Sequence, residues 1–284
     1  MLELILAICA KFGTGYAPPA AAVAALRECG GESYCNRDLA ETFANGDGVT
    51  RDFDIAEYFL CKAEEDMAPA ELEGMLEHLG KMRTGEETAD LKFCDHVTSG
   101  YGMSYCSGVR HEELMPQLEA RIDKLHESVK QPTQFDELRT RGKEYVEAEF
   151  TRIGEQSRGG TGYAAFSLEA EMSETEKLVE SLERWTKERV PPTSVAEAKR
   201  ADDALNAAYR AEQKRVIENI ETLGEQYSDW KTLLRDAQRT WIAYRDAFAA
   251  YYAERWRGAA DAESLKREIV TQLTRQRTKE LRNE

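Results

Sequence analysis

The sequence predicts an all-α protein, a helical hairpin followed by two related helical-bundle units, and three observations carry that expectation. The composition is globular and helix-rich: of 284 residues 42% are hydrophobic, 32% are charged and only 7 are proline. Apolar residues recur three and four apart over the longer segments, the spacing that gathers them on one helix face. Segments offset by about 96 to 99 residues also share a layout, which points to an internal duplication. A chain of this length divides into two or three small domains. The expected divisions are an acidic, cysteine-bearing region at 1–90, one helical unit at 91–190 and a second at 191–284.

The chain begins with a short apolar run, Leu4 to Ala10, followed by small residues and Pro18-Pro19. No Lys or Arg precedes the run, and Glu3 stands where an export signal carries positive charge. The run reads either as the remnant of an export signal or as a first helix. Leu6-Ala7-Ile8-Cys9 is similar to a lipoprotein cleavage box, but Ile8 occupies the position that needs a small residue, so lipidation is not expected. No run reaches the roughly 18 to 20 apolar residues of a transmembrane helix.

Asp38 to Glu65 reads as a helical hairpin. Leu39, Ala40 and Phe43 share one helix face, Asn45-Gly46-Asp47-Gly48 stops the helix, and Ile55, Ala56, Phe59 and Leu60 share a face on the next. The order of residues resembles a Sel1-like repeat: a small-residue helix, a G-D-G-V turn, an Asp, then an alanine-bearing helix ending in K-A. One copy cannot bury its own face and must pack on neighbouring helices.

Six cysteines stand at 9, 29, 35, 61, 94 and 106, and none follows. An even number clustered in one segment indicates a disulfide framework and an oxidising compartment, hence a periplasmic or secreted protein. In an antiparallel hairpin turning near residue 48, Cys35 comes level with Cys61, and this pair is expected; Cys29 is the alternative partner for either. Closing that loop contributes roughly 3 kcal/mol on the chain-entropy model.

The two related units come next. The first runs FDELRTRGKEYVEAEF, breaks at Arg158-Gly159-Gly160-Thr161 and ends ETEKLVESL at Leu182; the second runs LLRDAQRTWIAYRDAF, breaks at Arg257-Gly258-Ala259 and ends LTRQRTKEL at Leu281. Leu138 falls on Leu234, Tyr145 on Trp241, Thr175 on Thr274, and Leu182 on Leu281. In the second unit Leu234, Ala237, Trp241, Tyr244, Phe248 and Tyr251 form a stripe along one helix, faced by Leu265, Ile269, Leu273 and Leu281. Trp241 and Phe248 are expected in the core. Tyr244, Tyr251 and Tyr252 are expected at its edge, with their hydroxyls in water.

LRDAQRTWIAYRD at Leu234 to Asp246, followed by LTRQR at Leu273 to Arg277, resembles the signature of the lysozyme inhibitor LprI-like family. That family has a helix carrying A-Q-x-x-W-x-x-Y-R-D, then a helix ending in L-T-x-x-R. Asp202 to Tyr209, DDALNAAY, resembles the family's first long helix, so the likeness covers about residues 196 to 284. Leu234, Gln238, Trp241, Phe248, Thr274 and Arg277 are its structural signature here. Family members carry cysteines before the first helix and after Y-R-D, and this segment has none. The first unit instead keeps Cys94 and Cys106, which resemble the family's N-terminal cysteine pair, and lacks the Gln and Trp.

The resemblance implies protein binding rather than catalysis, with lysozyme or another cationic, envelope-targeting protein as partner. Lysozymes are often basic and have a cleft lined by two catalytic carboxylates. An acidic chain is steered towards such a surface. The expected partner-binding residues are Tyr244, Arg245, Asp246, Arg255 and Arg257, with the break at Gly258 as a protruding loop. In the alternative, Arg245 and Asp246 form intramolecular pairs that fix adjacent helices. A second possibility makes the Sel1-like region the contact surface of a scaffold or toxin-immunity protein.

Charge and motif content exclude other classes. The net charge is −15; residues 1–100 carry 8 Lys+Arg against 19 Asp+Glu, leaving 30 against 34 beyond them. Acidity of this kind repels nucleic acid and anionic lipid. The sequence holds no Gly-rich phosphate loop, nucleophile elbow or H-E-x-x-H, so no catalytic residue and no cofactor is expected. Cys94, His96, Cys106 and His111 have the donor types for zinc but not a known finger spacing. A Cys94–Cys106 disulfide is the favoured reading, and no metal is expected.

Overall fold

The computed structural model describes residues 2–13, 16–29, 35–130 and 132–282, with the backbone alone for residues 2–4. The side chains of Glu3 and Leu4, which entered the reading of the chain start, lie outside the described set. All regular elements among the described residues are helical, and the chain divides into two compact units, Met1–Cys106 and Ser107–Glu284. None of the described helices is long and apolar enough to cross a membrane.

The first unit contains α1 (Leu2–Cys9), α2 (Ala20–Glu28), α3 (Cys35–Asn45), α4 (Phe53–Lys62), α5 (Pro69–Thr84) and the first residues of α6 (Gly100–Ser128). The expected hairpin is α3 and α4. Its turn uses Gly46 and Gly48 at φ 81° and 72°, where a Cβ is disfavoured. Asp52 caps α4, accepting from the amides of Asp54 and Ile55 at 2.9 and 3.0 Å. Phe43 and Phe59 stack between the two helices with ring centroids 5.8 Å apart.

The remaining order comes from side chains that serve backbone groups. Asn45 donates to the Leu91 carbonyl and accepts from the Leu91 amide, at 2.9 and 2.8 Å, as a strand neighbour would. Glu71, fully buried on α5, accepts from the amides of Ala68, Thr98 and Ser99 at 2.9, 2.9 and 2.7 Å. Burial pushes its carboxyl upward, but these donors outweigh that and hold it below the ordinary value. A Cβ at Gly102 would stand 2.8 Å from the Glu71 Oε1, so α6 enters at a glycine.

Three disulfides close this unit: Cys9–Cys61, Cys29–Cys35 and Cys94–Cys106, with Cα separations of 5.4, 6.0 and 5.7 Å. The expected Cys35–Cys61 pair is therefore corrected. Being level across a hairpin is not sufficient, because Phe59 and Leu60 fill the face that α4 buries. Cys61 lies about 100° further round the helix, where the end of α1 supplies Cys9. The Cys94 and Cys106 sulfurs are joined to each other and offer no thiolate to a metal.

The second unit contains the rest of α6, α7 (Pro132–Gln156), α8 (Tyr163–Lys187), α9 (Val195–Leu223), α10 (Trp230–Arg255) and α11 (Ala262–Arg282). Residues on both sides of position 190 share one core, from Leu118 to Leu281. The expected divisions at 90/91 and 190/191 thus differ from the observed division at 106/107. At the centre α7 and α10 run antiparallel: Phe135 at the start of α7 meets Tyr251 late in α10, Tyr145 stacks on Tyr244, and the Trp230 indole donates to the Glu155 carbonyl at the opposite end.

The helix pairs α7–α8 and α10–α11 close by different contacts. Gln238 of α10 accepts from Arg277 of α11 at 3.3 Å, whereas Gly142 of α7 faces Leu178 of α8. A Cβ on Gly142 would stand 2.8 Å from a Leu178 methyl. One pair closes the helices with a polar bridge, the other with a glycine that admits a leucine.

Candidate functional site

The signature residues lie almost entirely inside the second unit. Leu234, Gln238, Trp241, Phe248, Thr274 and Arg277 are all buried. Arg277 sits at the centre, donating to the Tyr145 hydroxyl at 2.9 Å, to Glu149 at 2.5 Å and to Gln238, and pairing with Glu280 at 3.2 Å. Tyr145 passes its own proton towards Glu174 at 2.8 Å. Burial raises the Glu149 carboxyl, but the guanidiniums of Arg277 and Arg152 prevail and hold it below the ordinary value. Leaving any one member without its partners exposes a buried charge, so this cluster locks α7, α10 and α11 together.

The expected partner-binding residues divide into two groups. Tyr244 is corrected: it is buried against Tyr145 and Phe248, and burial raises its hydroxyl far above the usual phenol value. Tyr251 and Tyr252 are likewise fully buried, contacting the Thr186 hydroxyl at 2.9 Å and accepting from the Val190 amide at 2.8 Å. The stripe is wider than an edge position allows, because α7 and α8 cover it from the side opposite α11. Arg245 lies over the Trp241 ring, 5.3 Å from its centroid, and pairs with Asp246 of the same helix at 2.7 Å. That pair does not bridge adjacent helices.

Arg255 and Arg257 stand at a different kind of place, the turn from α10 into α11. Arg257 is 76% exposed and pairs with Glu254 one turn back. Gly258 follows at φ 93°, and Asp261 caps α11 through the Ser264 amide at 2.9 Å. Under this tip Arg255 donates to the Thr186 carbonyl at 3.1 Å and the Trp256 indole to the Trp185 carbonyl at 3.1 Å. Arg189 reaches the Ala259 carbonyl at 3.3 Å while held by buried Glu268 at 2.7 Å. The turn is an exposed guanidinium on a fixed base.

A family model described as Lysozyme inhibitor LprI matches residues 193–281. The matched segment covers less than half of the chain and runs from the cap of α9 to the last turn of α11. It contains the α10–α11 turn and the Gln238–Arg277 half of the buried cluster. No curated protein and no solved structure matches the chain at a significant level.

Two sets of residues escaped the sequence reading. Glu149 and Tyr145 complete the Arg277 cluster from outside the matched segment; the signal for Glu149 was a carboxylate four residues after Tyr145, in line with the apolar stripe of α7. Arg189 and Glu268, which support the turn, have no local signal, since they are 79 residues apart in sequence.

Proposed function

We propose that this protein acts outside the cytoplasm by binding a cationic glycoside hydrolase of the lysozyme class, presenting Arg257 on the α10–α11 turn to the acidic cleft of that enzyme. The observation that carries the reading is the rigid exposure of Arg257 within the LprI segment. A guanidinium fits a pair of carboxylates through charge-assisted, two-pronged hydrogen bonds. The resident pair joins exposed Arg257 to half-buried Glu254 at the surface, and exchanging it for a partner carboxylate costs about 1 kcal/mol. Restrained ends at Trp256 and Ala259 reduce the ordering cost of binding. The net charge of −15 speeds encounter with a basic enzyme, and the three disulfides suit an oxidising compartment.

The test is hydrolysis of peptidoglycan by a basic c-type lysozyme in the presence of the oxidised full chain at physiological salt. Inhibition that saturates with added protein is expected, with Arg257→Glu weakening it at least tenfold and Arg257→Lys less. Full inhibition by Arg257→Glu would overturn the reading. A second reading is favoured by the acidity of residues 1–100: a cationic partner of another kind binds there. It predicts inhibition or capture that is insensitive to Arg257 but sensitive to charge reversal at exposed acids such as Glu64 and Glu65.

A further inference from the structure

The second unit carries another Arg-Gly turn, between α7 and α8, and its geometry repeats that of the α10–α11 turn. Glu155 pairs with Arg158 as Glu254 pairs with Arg257, one turn back on the preceding helix in each case. Gly159 and Gly258 follow at φ 91° and 93°. Arg158 and Gly159 are exposed, as Arg257 and Gly258 are. This turn is also anchored: the Trp230 indole donates to the Glu155 carbonyl at 3.0 Å, and Gly154 lets α7 close on Ser167 of α8, whose Oγ would lie 2.3 Å from any Cβ there.

Five and eight residues after Arg158, Tyr163 and Phe166 are 38% and 48% exposed, three residues apart on the first turn of α8. An exposed Arg and exposed aromatic residues carried by one turn and the helix start that follows it are the residue types enriched where binding energy concentrates at protein interfaces. Because α7 and α10 are antiparallel, the two turns stand at opposite ends of that helix pair. The 25 residues of α7 span about 37 Å, more than the diameter of a small domain, so two partners need not collide.

The geometry points to a second partner-binding tip at the α7–α8 turn, where Arg158, Tyr163 and Phe166 hold a second molecule of the same class of cationic hydrolase by its surface and leave its cleft open, so that inhibition still depends on Arg257. One chain then engages two enzyme molecules. The inference rests on the function proposed above, and the stoichiometry separates the two. Light scattering and sedimentation of the oxidised chain with excess basic c-type lysozyme are expected to give two enzymes per chain. Arg158→Glu and Phe166→Ala each reduce this to one, with at least a tenfold loss of affinity at the site lost, and Arg257→Glu also reduces it to one. Unchanged thermal melting shows that these exposed substitutions leave the fold intact. A one-to-one complex indifferent to Arg158→Glu and Phe166→Ala but abolished by Arg257→Glu overturns the second tip and leaves the first. The absence of any complex overturns both.

Discussion

The two units solve the same problem, stabilising helices, with different means. In the first unit helices of 8 to 16 residues precede α6, lengths that are marginal in isolation, and three disulfides with backbone-directed carboxylates and amides hold them. In the second, α7 to α11 run from 21 to 29 residues and enclose a wide aromatic core with a buried charge cluster around Arg277 and no cysteine. Short elements need covalent and polar staples; long ones bury enough surface to do without them.

Reduction is the strongest way to break this comparison. On the chain-entropy model the three disulfides together contribute roughly 9 kcal/mol, of which Cys9–Cys61 supplies about 4. Dithiothreitol is expected to unfold the first unit alone. All four tryptophans, at 185, 230, 241 and 256, lie in the second unit, so their fluorescence should stay native while far-UV ellipticity falls. A change in tryptophan emission on reduction would show that the units are not independent.

Arg277→Ala should destabilise the second unit by about 3 kcal/mol, because buried Glu149 then loses one of its two guanidiniums and keeps only Arg152. Replacing both with apolar residues, Glu149→Leu with Arg277→Met, should recover most of that loss in denaturant titrations. The corresponding lesion in the first unit is Glu71→Ala, which leaves three amide donors without their acceptor and should cost about 3 kcal/mol.

Acid gives the smallest effect and sharpens the contrast. His96 contacts His78 at 3.0 Å, and burial followed by the His78 charge depresses its value below 6.5. The unfolded chain therefore binds more protons than the native one below about pH 6.5, and the first unit should begin to weaken there. The depressed Glu149 in the second unit contributes stability that is present above its unfolded value of 4.5 and is lost as pH falls through its lower folded value. Melting curves between pH 7 and 5 should move the first transition and spare the second.

The helices were legible because their signals are local: Gly46 and Gly48 end one helix, and Leu234 to Tyr251 keep a three-and-four rhythm. The two Arg-Gly breaks were legible as turns for the same reason. The pairing of Cys61 was not, since it depends on which side of α4 faces α1. The exposure of Tyr244 was misread because the sequence of α10 does not reveal that a second helix, α7, covers its far side. For the buried cluster, half the partners were visible as a motif and the other half lie about 130 positions away in the chain.

The Cys9–Cys61 bond spans the exposed turn at Val49 to Arg51 between α3 and α4. A protease that nicks the chain after Arg51 would therefore release nothing: the two pieces remain one molecule of unchanged mass apart from one added water, and part only when a reductant is supplied. In an environment rich in extracellular proteases, that crosslink converts a cut from a loss of the protein into a silent scar.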